Sequence, residues 1–319
     1  MDNSTVLFLV PIIALVLDLA LGDPKWFPHP VRCIGMALDK YKNWVYSTGM
    51  SRKIMGGVGV LGFAIVVWSV LKIFLAIPFL GVLIALYLAY AGLALGSLLA
   101  EHKNAASLLD SGRIEDARSA IAELVSRDVS ELDENGLRKA LAESTSENIN
   151  DGFVAPFFYL VVTGPAGMWV YKTISTMDSM WGYKNEEYKD FGCYAAKADD
   201  ILAFIPARIT GFMMLLAGRM LKYDWRSAYD NLLNDANKTE SPNAGWAMAP
   251  AAWLLGAPMG GKAVYFGEEK EKPVLGPESG EWTSLKLKRL GTLVLSTAIF
   301  SAVLLDIYFV LVWAAGAVH

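Results

Sequence analysis

Residues 143–151, reading Glu-Ser-Thr-Ser-Glu-Asn-Ile-Asn-Asp, gather three carboxylates, two amides and three hydroxyls just ahead of an apolar segment that begins at Phe153. On a helix, Glu143, Glu147 and Asp151 occupy i, i+4 and i+8 on one face, where like charges repel unless a cation or a basic substrate group lies between them. A solvated helix end is the plainer reading, but such a face intersperses Lys or Arg, and none occurs between Lys139 and Lys172. The pattern points to cation or amine chemistry at the edge of an apolar layer.

Other polar clusters follow. Thr176 to Glu187 contains Asp178, Ser179, Gly182, Tyr183, Lys184 and Asn185 directly after an apolar stretch, and reads as an active-site loop. Asp199 and Asp200 precede the apolar run from Ile201 to Arg208, where capping of a helix start competes with a ligand role. Function explains Arg208 better than packing does, because an unpaired charge at membrane depth costs roughly several kcal/mol. In Asn237 to Trp246, turn chemistry accounts for Pro242 and Gly245 but not for Lys238, Glu240 and Asn243 as a set. Gly256 to Lys262 fits the first seven positions of a P-loop. Ala263 replaces the Mg²⁺-binding Ser or Thr and no strand precedes the motif, so only backbone amides beside Lys262 remain as a phosphate contact.

The elements that must position these groups are membrane elements. Of 319 residues, 54% are apolar, mean hydropathy is positive, and 19% charged residues leave room for polar loops. A span needs about 20 apolar residues. Segments 5–21, 54–72, 78–100 and 290–315 qualify. The first carries Asp2 and lacks the basic start and cleavage site of a secretory signal, so it reads as an uncleaved anchor. Basic residues cluster between the first two spans, which places that segment in the cytoplasm and the termini outside, with Lys72 snorkelling. Residues 153–177, 201–221 and 244–261 are broken by Gly164-Pro165, by Arg208 and by Gly, Ala and Pro. Re-entrant or surface-lying hairpins are preferred there, because they keep the polar clusters in one compartment; ordinary crossing pairs are the alternative.

The expected fold is all-α: a polytopic integral membrane protein with about four full spans, broken or re-entrant helical hairpins and a small cytoplasmic helical cap, forming one membrane-embedded domain over 1–319. Residues 101–142 are the cytoplasmic helical insertion. There Ile114, Ala117, Ile121, Leu124 and Val125 recur at helical spacing opposite Glu115, Arg118 and Glu123, and a second helix runs from Leu132 to Ala142. Strand signals are weak everywhere, and no internal repeat is evident. Cys33 and Cys193 lack metal-ligand spacing and read as plain thiols. A net charge of −4 without a basic stripe argues against nucleic acid.

Taken in order, these motifs carry a resemblance. Leu17-Asp18, Leu21 to Pro24, Pro28-His29-Pro30-Val31-Arg32 with Gly35, Arg127-Asp128, Glu143 to Asn148 with Asp151-Gly152 and Ala155-Pro156, Asp178 to Met180 with Gly182 to Asn185, Asp199-Asp200 with Pro206 to Arg208, and Ser241 to Trp246 resemble the signature of the cobalamin-biosynthesis CobD/CbiB family, membrane-associated adenosylcobinamide-phosphate synthases, over about residues 7–290. The resemblance implies ligation of aminopropanol or its O-phosphate, through the amine, to the free propionate of adenosylcobyric acid. It implies ATP and Mg²⁺, an acyl-phosphate intermediate, a corrinoid substrate, a multi-pass protein of the cell membrane with its active site on the cytoplasmic side, and a place beside other cobalamin-pathway enzymes.

In that setting Glu143, Glu147, Asp151 and Asp178 are the expected Mg²⁺ ligands. Glu143, Glu147, Asp178, Lys184 and His29 are the expected catalytic groups: Lys184 for developing charge, and a carboxylate or the His29 imidazole for the amine proton. His29, lying between two prolines, also suits a rigid turn. Arg32, whose planar fork suits a phosphate or a propionate, joins Asn148, Tyr183, Asn185, Arg208, Asn243 and Lys262 as the expected substrate-binding set. One departure stands out. Where many relatives place a histidine before Ser-Pro-Asn, this chain has Lys238-Thr239-Glu240, and a lysine ammonium is no neutral-pH base. Asn243 is therefore the safer residue to assign. The competing readings are a non-catalytic corrinoid-binding or transport protein, against which the clusters lie at the ends of apolar segments, and an enzyme acting on lipid phosphates.

Overall fold

Nearly every apolar run closes its backbone hydrogen bonds as a helix, the only open solution in a medium without water. The computed structural model describes residues 3–24, 29–183, 185–265 and 267–316. In chain order the helices are α1 (Asn3–Leu21), α2 (Pro30–Thr48), α3 (Arg52–Leu75), α4 (Leu80–Gly92), α5 (Leu95–Asp110), α6 (Ile114–Ala122), α7 (Glu134–Ile149), α8 (Ala155–Trp181), α9 (Cys193–Leu202), α10 (Phe204–Met220), α11 (Trp225–Ala236), α12 (Ala244–Leu255) and α13 (Ser284–Gly316). A π-helical turn, Asn150–Val154, joins α7 to α8, and an antiparallel pair, β1 (Met259–Tyr265) and β2 (Glu268–Leu275), separates α12 from α13.

Among the described residues, four helical stretches are long and apolar enough to cross a membrane, namely Arg52–Leu75, Leu80–Asp110, Glu134–Trp181 and Ser284–Leu311, and α9 with α10 forms a fifth if the broken pair is one span. The chain is thus a nearly all-helical, multi-pass membrane fold. Segment 5–21 lies within α1, whose Leu9–Leu21 portion is a shorter apolar helix. The break at Gly164 (φ 75°, ψ −177°) interrupts α8, but helix resumes at once, so 153–177 belongs to a helix of crossing length and not to a separate re-entrant hairpin.

Three expectations need correction. Residues 244–261 do not form a helical hairpin; they form α12 and then enter β1. The sheet escaped notice because β2 opens Glu-Glu-Lys-Glu-Lys and is almost wholly exposed, leaving no apolar alternation to read. Asp199 and Asp200 close α9 instead of opening α10, so they cap no helix start, and the Ala203 amide donates to the Asp199 carbonyl at 2.8 Å.

The chain divides into two units, Met1–Ala94 with Ala155–Ala203 and Leu305–His319, and Leu95–Val154 with Phe204–Leu304. In the first, Leu38 and Val45 of α2, Val60 of α3, Ile174, Met177 and Trp181 of α8, Phe191, and Ala195 of α9 make the core, with the Trp181 and Phe191 rings 4.6 Å apart. The basic segment between the first two spans is therefore the amphipathic helix α2, packed on α8. In the second unit, Leu137 and Leu141 of α7 pack with Leu95 and Leu109 of α5 and with Ala117 and Ile121 of α6, the spacing the sequence displays. Small residues let α12 approach α11 closely: a Cβ on Gly245 would stand 2.4 Å from the Ala236 carbonyl oxygen.

Candidate functional site

Asp133 caps α7 by accepting from the Gly136 amide at 2.7 Å, and the helix then carries the polar run on a regular register as far as Ile149. Most buried polar members of the run have a structural partner, while Ser146 Oγ is buried with none among the described residues. Ser144 donates to the Leu124 carbonyl at 2.8 Å, Thr145 lies 2.9 Å from Nδ1 of His102, and Asn148 donates to the Ser144 hydroxyl at 3.0 Å. Glu143 is 4% exposed; its Oε1 accepts from the Gly260 amide at 2.7 Å and its Oε2 pairs with Arg127. The cation missing from the run thus comes from the loop after α6. Glu147 differs: the residue is accessible at the surface, yet its carboxylate is closely surrounded by protein and has among its electrostatic neighbours Asp151, Lys272, Glu143 and Arg127.

The π turn breaks the strict i+8 register of Asp151, because its i→i+5 bonding puts more residues in each turn and rotates the side chain out of line. Asp151 accepts instead from the Asn150 amide at 2.7 Å, and Asn150 accepts from the Thr210 hydroxyl of α10 at 3.1 Å. Two residues earlier on α10, Arg208 donates to the Asn243 side-chain oxygen at 2.7 Å and to the Phe204 carbonyl at 3.0 Å, with its guanidinium 3.5 Å from the Phe204 ring centroid. Two predicted binding residues 35 positions apart are thereby joined, and Asn243 is buried while Arg208 stays half-buried. The loop bearing Asn243 is anchored by Asp235. Burial favours its neutral form, but bonds from Lys238 at 2.6 Å, Gly276 N–H at 2.8 Å and Trp253 Nε1 at 2.7 Å outweigh that and hold the carboxyl below the usual range.

The P-loop-like segment is a helix end running into a strand, the reverse of strand into helix. Its pairing register slips between Met259 and Gly261, opposite Pro273, which has no N–H to give. Gly260 takes up the slip at φ 85°, and this frees its amide for Glu143. Lys262 points away into an ion pair with Glu269 at 2.8 Å, which raises its pKa. The Arg127 loop is tied to the same strand by a 2.8 Å bond from the Asp128 amide to the Val264 carbonyl.

The remaining predicted residues lie in the first unit. His29 caps α2: Nδ1 accepts from the Val31 amide at 3.3 Å, and Nε2 stands 3.5 Å from Asp23. The cap is the turn role that the sequence also allowed for His29. Arg32 is exposed one turn into α2. A Cβ on Gly182 would stand 2.0 Å from Asp178 Oδ1, so the glycine makes room for that carboxylate. Asn185 accepts from the Tyr188 amide at 3.0 Å in a turn, and the Tyr183 ring lies 6.0 Å from that of Tyr188. Lys184 lies outside the described residues.

Asp178 therefore belongs to a different unit from Glu143, Glu147 and Asp151, and among the described residues no three His, Cys, Asp or Glu side chains form a ligand cluster. Sequence reasoning assigned no role to Arg127, Gly260 or Lys272. Arg127-Asp128 was visible as a motif; the Gly260 amide and Lys272 were not, because the hairpin that brings them was not foreseen.

The CobD/Cbib protein family model matches residues 11–294. The cobalamin biosynthesis protein CobD of Leptospira interrogans serovar copenhageni is 33% identical over 313 residues, covering 96% of this chain and 97% of that relative. The CobD proteins of Geobacter metallireducens (36% over 273 residues; 84% and 86% covered) and Listeria monocytogenes EGD-e (37% over 276 residues; 82% and 86% covered) are similar along most of their length. No solved structure matches. With the family model spanning most of the chain and the relatives matching along most of their length, the chain belongs to the CobD/CbiB family of cobalamin-biosynthesis proteins.

Proposed function

We propose that the protein is an ATP-dependent amide ligase joining aminopropanol, free or as its O-phosphate, to the free propionate of adenosylcobyric acid at the cytoplasmic face of the membrane. The observation that carries the reading is Glu147, an accessible residue whose closely surrounded carboxylate stands beside Asp151, with Arg127 and Lys272 as cationic neighbours.

A propionate oxygen attacks the γ-phosphorus of ATP and ADP leaves. The amine then attacks the acyl carbon, the C–O bond to phosphate breaks, inorganic phosphate departs and the amine proton passes to a carboxylate base. Glu147 is that base, since Glu143 is committed to Arg127 and Gly260. Arg208, steadied by Asn243 and its own helix carbonyl, offers its remaining N–H groups to a phosphate or carboxylate. Magnesium that keeps most of its waters needs one or two protein carboxylates, and Asp151 is the one that would hold it, leaving Glu147 free as the base; there the ion would neutralise phosphate charge.

The test is product formation by the purified, detergent-solubilised protein given adenosylcobyric acid, Mg·ATP and either amine, read by mass spectrometry. Amide that requires ATP and disappears in Glu147→Gln supports the reading and names the amine. Tight corrinoid binding without product under every combination overturns it in favour of binding or transport.

A further inference from the structure

A second cluster lies where the apolar helices α10 and α13 reach their polar ends. A cavity of about 370 Å³ there is lined by Lys222, Tyr223, Asp224, Trp253, Gly256 and Arg289, with Leu221, Leu254 and Leu255. That volume is in the range of small-molecule sites.

Lys222 closes α10 in a Schellman turn: its amide donates to Arg219 O at 3.1 Å and the Tyr223 amide to Gly218 O at 2.8 Å. The Lys222 φ of 60° is left-handed, at a position where glycine is the rule. Arg289 lies across the Tyr223 face, 5.7 Å from the ring centroid. Other cations nearby are engaged: Lys288 with Asp110 at 3.4 Å and Lys286 with the Gly256 carbonyl at 2.7 Å. The one carboxylate in the lining, Asp224, caps α11 and accepts from Ser227 N at 3.2 Å and Ser227 Oγ at 2.7 Å. Among the described residues Lys222 and Arg289 have no carboxylate at ion-pair distance, so the cavity presents two uncompensated cations.

The geometry points to a binding site for a phosphate group, supplied by the headgroup of an anionic lipid. The surroundings favour the lipid over a soluble phosphate. Leu216 and Met220 on α10 and Ile299 and Val303 on α13 are exposed apolar residues, where acyl chains would lie. Tyr223 and Trp253 line the cavity and Trp225 follows Asp224, aromatic residues of the type found at membrane interfaces, with Arg219 4.9 Å and Arg226 5.7 Å from the Trp225 ring. Basic pockets between membrane helices take anionic headgroups by this combination.

The site is tested by native mass spectrometry of the full-length protein in detergent with added phosphatidylglycerol or phosphatidylcholine, and with inorganic phosphate or Mg·ATP as competitor. Wild type retains phosphatidylglycerol in preference to phosphatidylcholine, and neither soluble phosphate displaces it. In Lys222→Gly combined with Arg289→Gln the affinity falls about 30-fold, the sum of two interfacial cations. Lys222→Gly alone gives part of that loss while thermal stability holds or rises, since glycine relaxes the left-handed turn; misfolding is thereby excluded as the cause. Equal retention of phosphatidylglycerol by wild type and the double variant, or equal retention of the two lipids, overturns the site. Displacement by inorganic phosphate or ATP overturns the lipid assignment. Amide synthesis is not a readout, so the outcome is independent of the ligase reading.

Discussion

The Arg127–Glu143 pair sets the geometry of the acidic run, and its removal has a definite cost. The two side chains are 11% and 5% exposed, and Glu143 has a further bond from the Gly260 amide. Exchange of Arg127→Met keeps the apolar stem but leaves a buried carboxylate held by one N–H. Breaking a buried pair on one side costs about 3–5 kcal/mol, against about 0–1 for an exposed pair. The surviving Gly260 bond, itself worth about 1.5–3 kcal/mol as a bond to a charged group, brings the expectation to about 3. Exchanging Glu143→Met as well removes the orphaned charge, so the double variant is less destabilised than the sum of the singles by about 2 kcal/mol or more. Hydrogen exchange of the Met259–Tyr265 amides reads the effect where it acts, because Glu143 anchors β1 through Gly260. A loss below about 1 kcal/mol for Arg127→Met, or strict additivity, would show that the pair does not hold the strand and that Glu143 is free for other chemistry.

Other outcomes follow from single contacts. Gly260→Ala forces a Cβ to within 2.1 Å of the Pro273 carbonyl at φ 85°, and should cost about 1–3 kcal/mol in the same exchange measurement. Asn243→Ala strips Arg208 of its side-chain acceptor, destabilising by about 1.5–3 kcal/mol in thermal unfolding, while Arg208→Lys should lower ligation with little change in stability. Asp235→Asn tests a pH dependence: a carboxyl whose folded pKa is depressed stabilises above its unfolded pKa and loses that contribution as pH falls, so the variant's deficit in chemical denaturation is full at pH 7 and shrinks below about pH 4. His29→Asn preserves the α2 cap and should retain ligation, whereas His29→Ala costs about 1 kcal/mol in unfolding; inactive but stable His29→Asn would restore the base.

The legible parts of this chain were those written in local patterns. Apolar length marked segments that became spanning-length helices, and the spacing of Ala117 and Ile121 marked the buried face of α6. The polar run was legible as chemistry but not as geometry. Its counter-ion, Arg127, stands 16 residues upstream and meets Glu143 only because the chain folds back. The hairpin was illegible for a physical reason: β2 buries little and is held by its ladder and by Asp235 at the Gly276 turn, so neither period nor propensity betrays it. Asp199-Asp200 misled because adjacent acids before an apolar run look like a cap; Ala203 ends one helix before Phe204 begins the next, and the acids fall on the earlier one.

The acidic run also shows how stability and chemistry share one helix. A polar stretch inside a mostly buried segment survives only if its groups are satisfied by neighbours, because each unpaired buried group costs about 1–3 kcal/mol. Glu143 is satisfied by Arg127 and Gly260, Ser144 by Leu124, Thr145 by His102 and Asn150 by Thr210. Those four residues tie α7 and the π turn to the loop after α6, to β1, to α5 and to α10, so substituting them should register as lost stability. Glu147 is exposed, makes no structural bond among the described residues, and yet stands beside the like charge of Asp151, an arrangement that stability alone disfavours. Ser146 Oγ is also without a partner among the described residues, but it is buried and neutral. An uncompensated like-charge contact at the carboxylate of an accessible residue is what a site for a cation or an incoming amine requires, and it is why Glu147, not Glu143, is the residue on which ligation should depend.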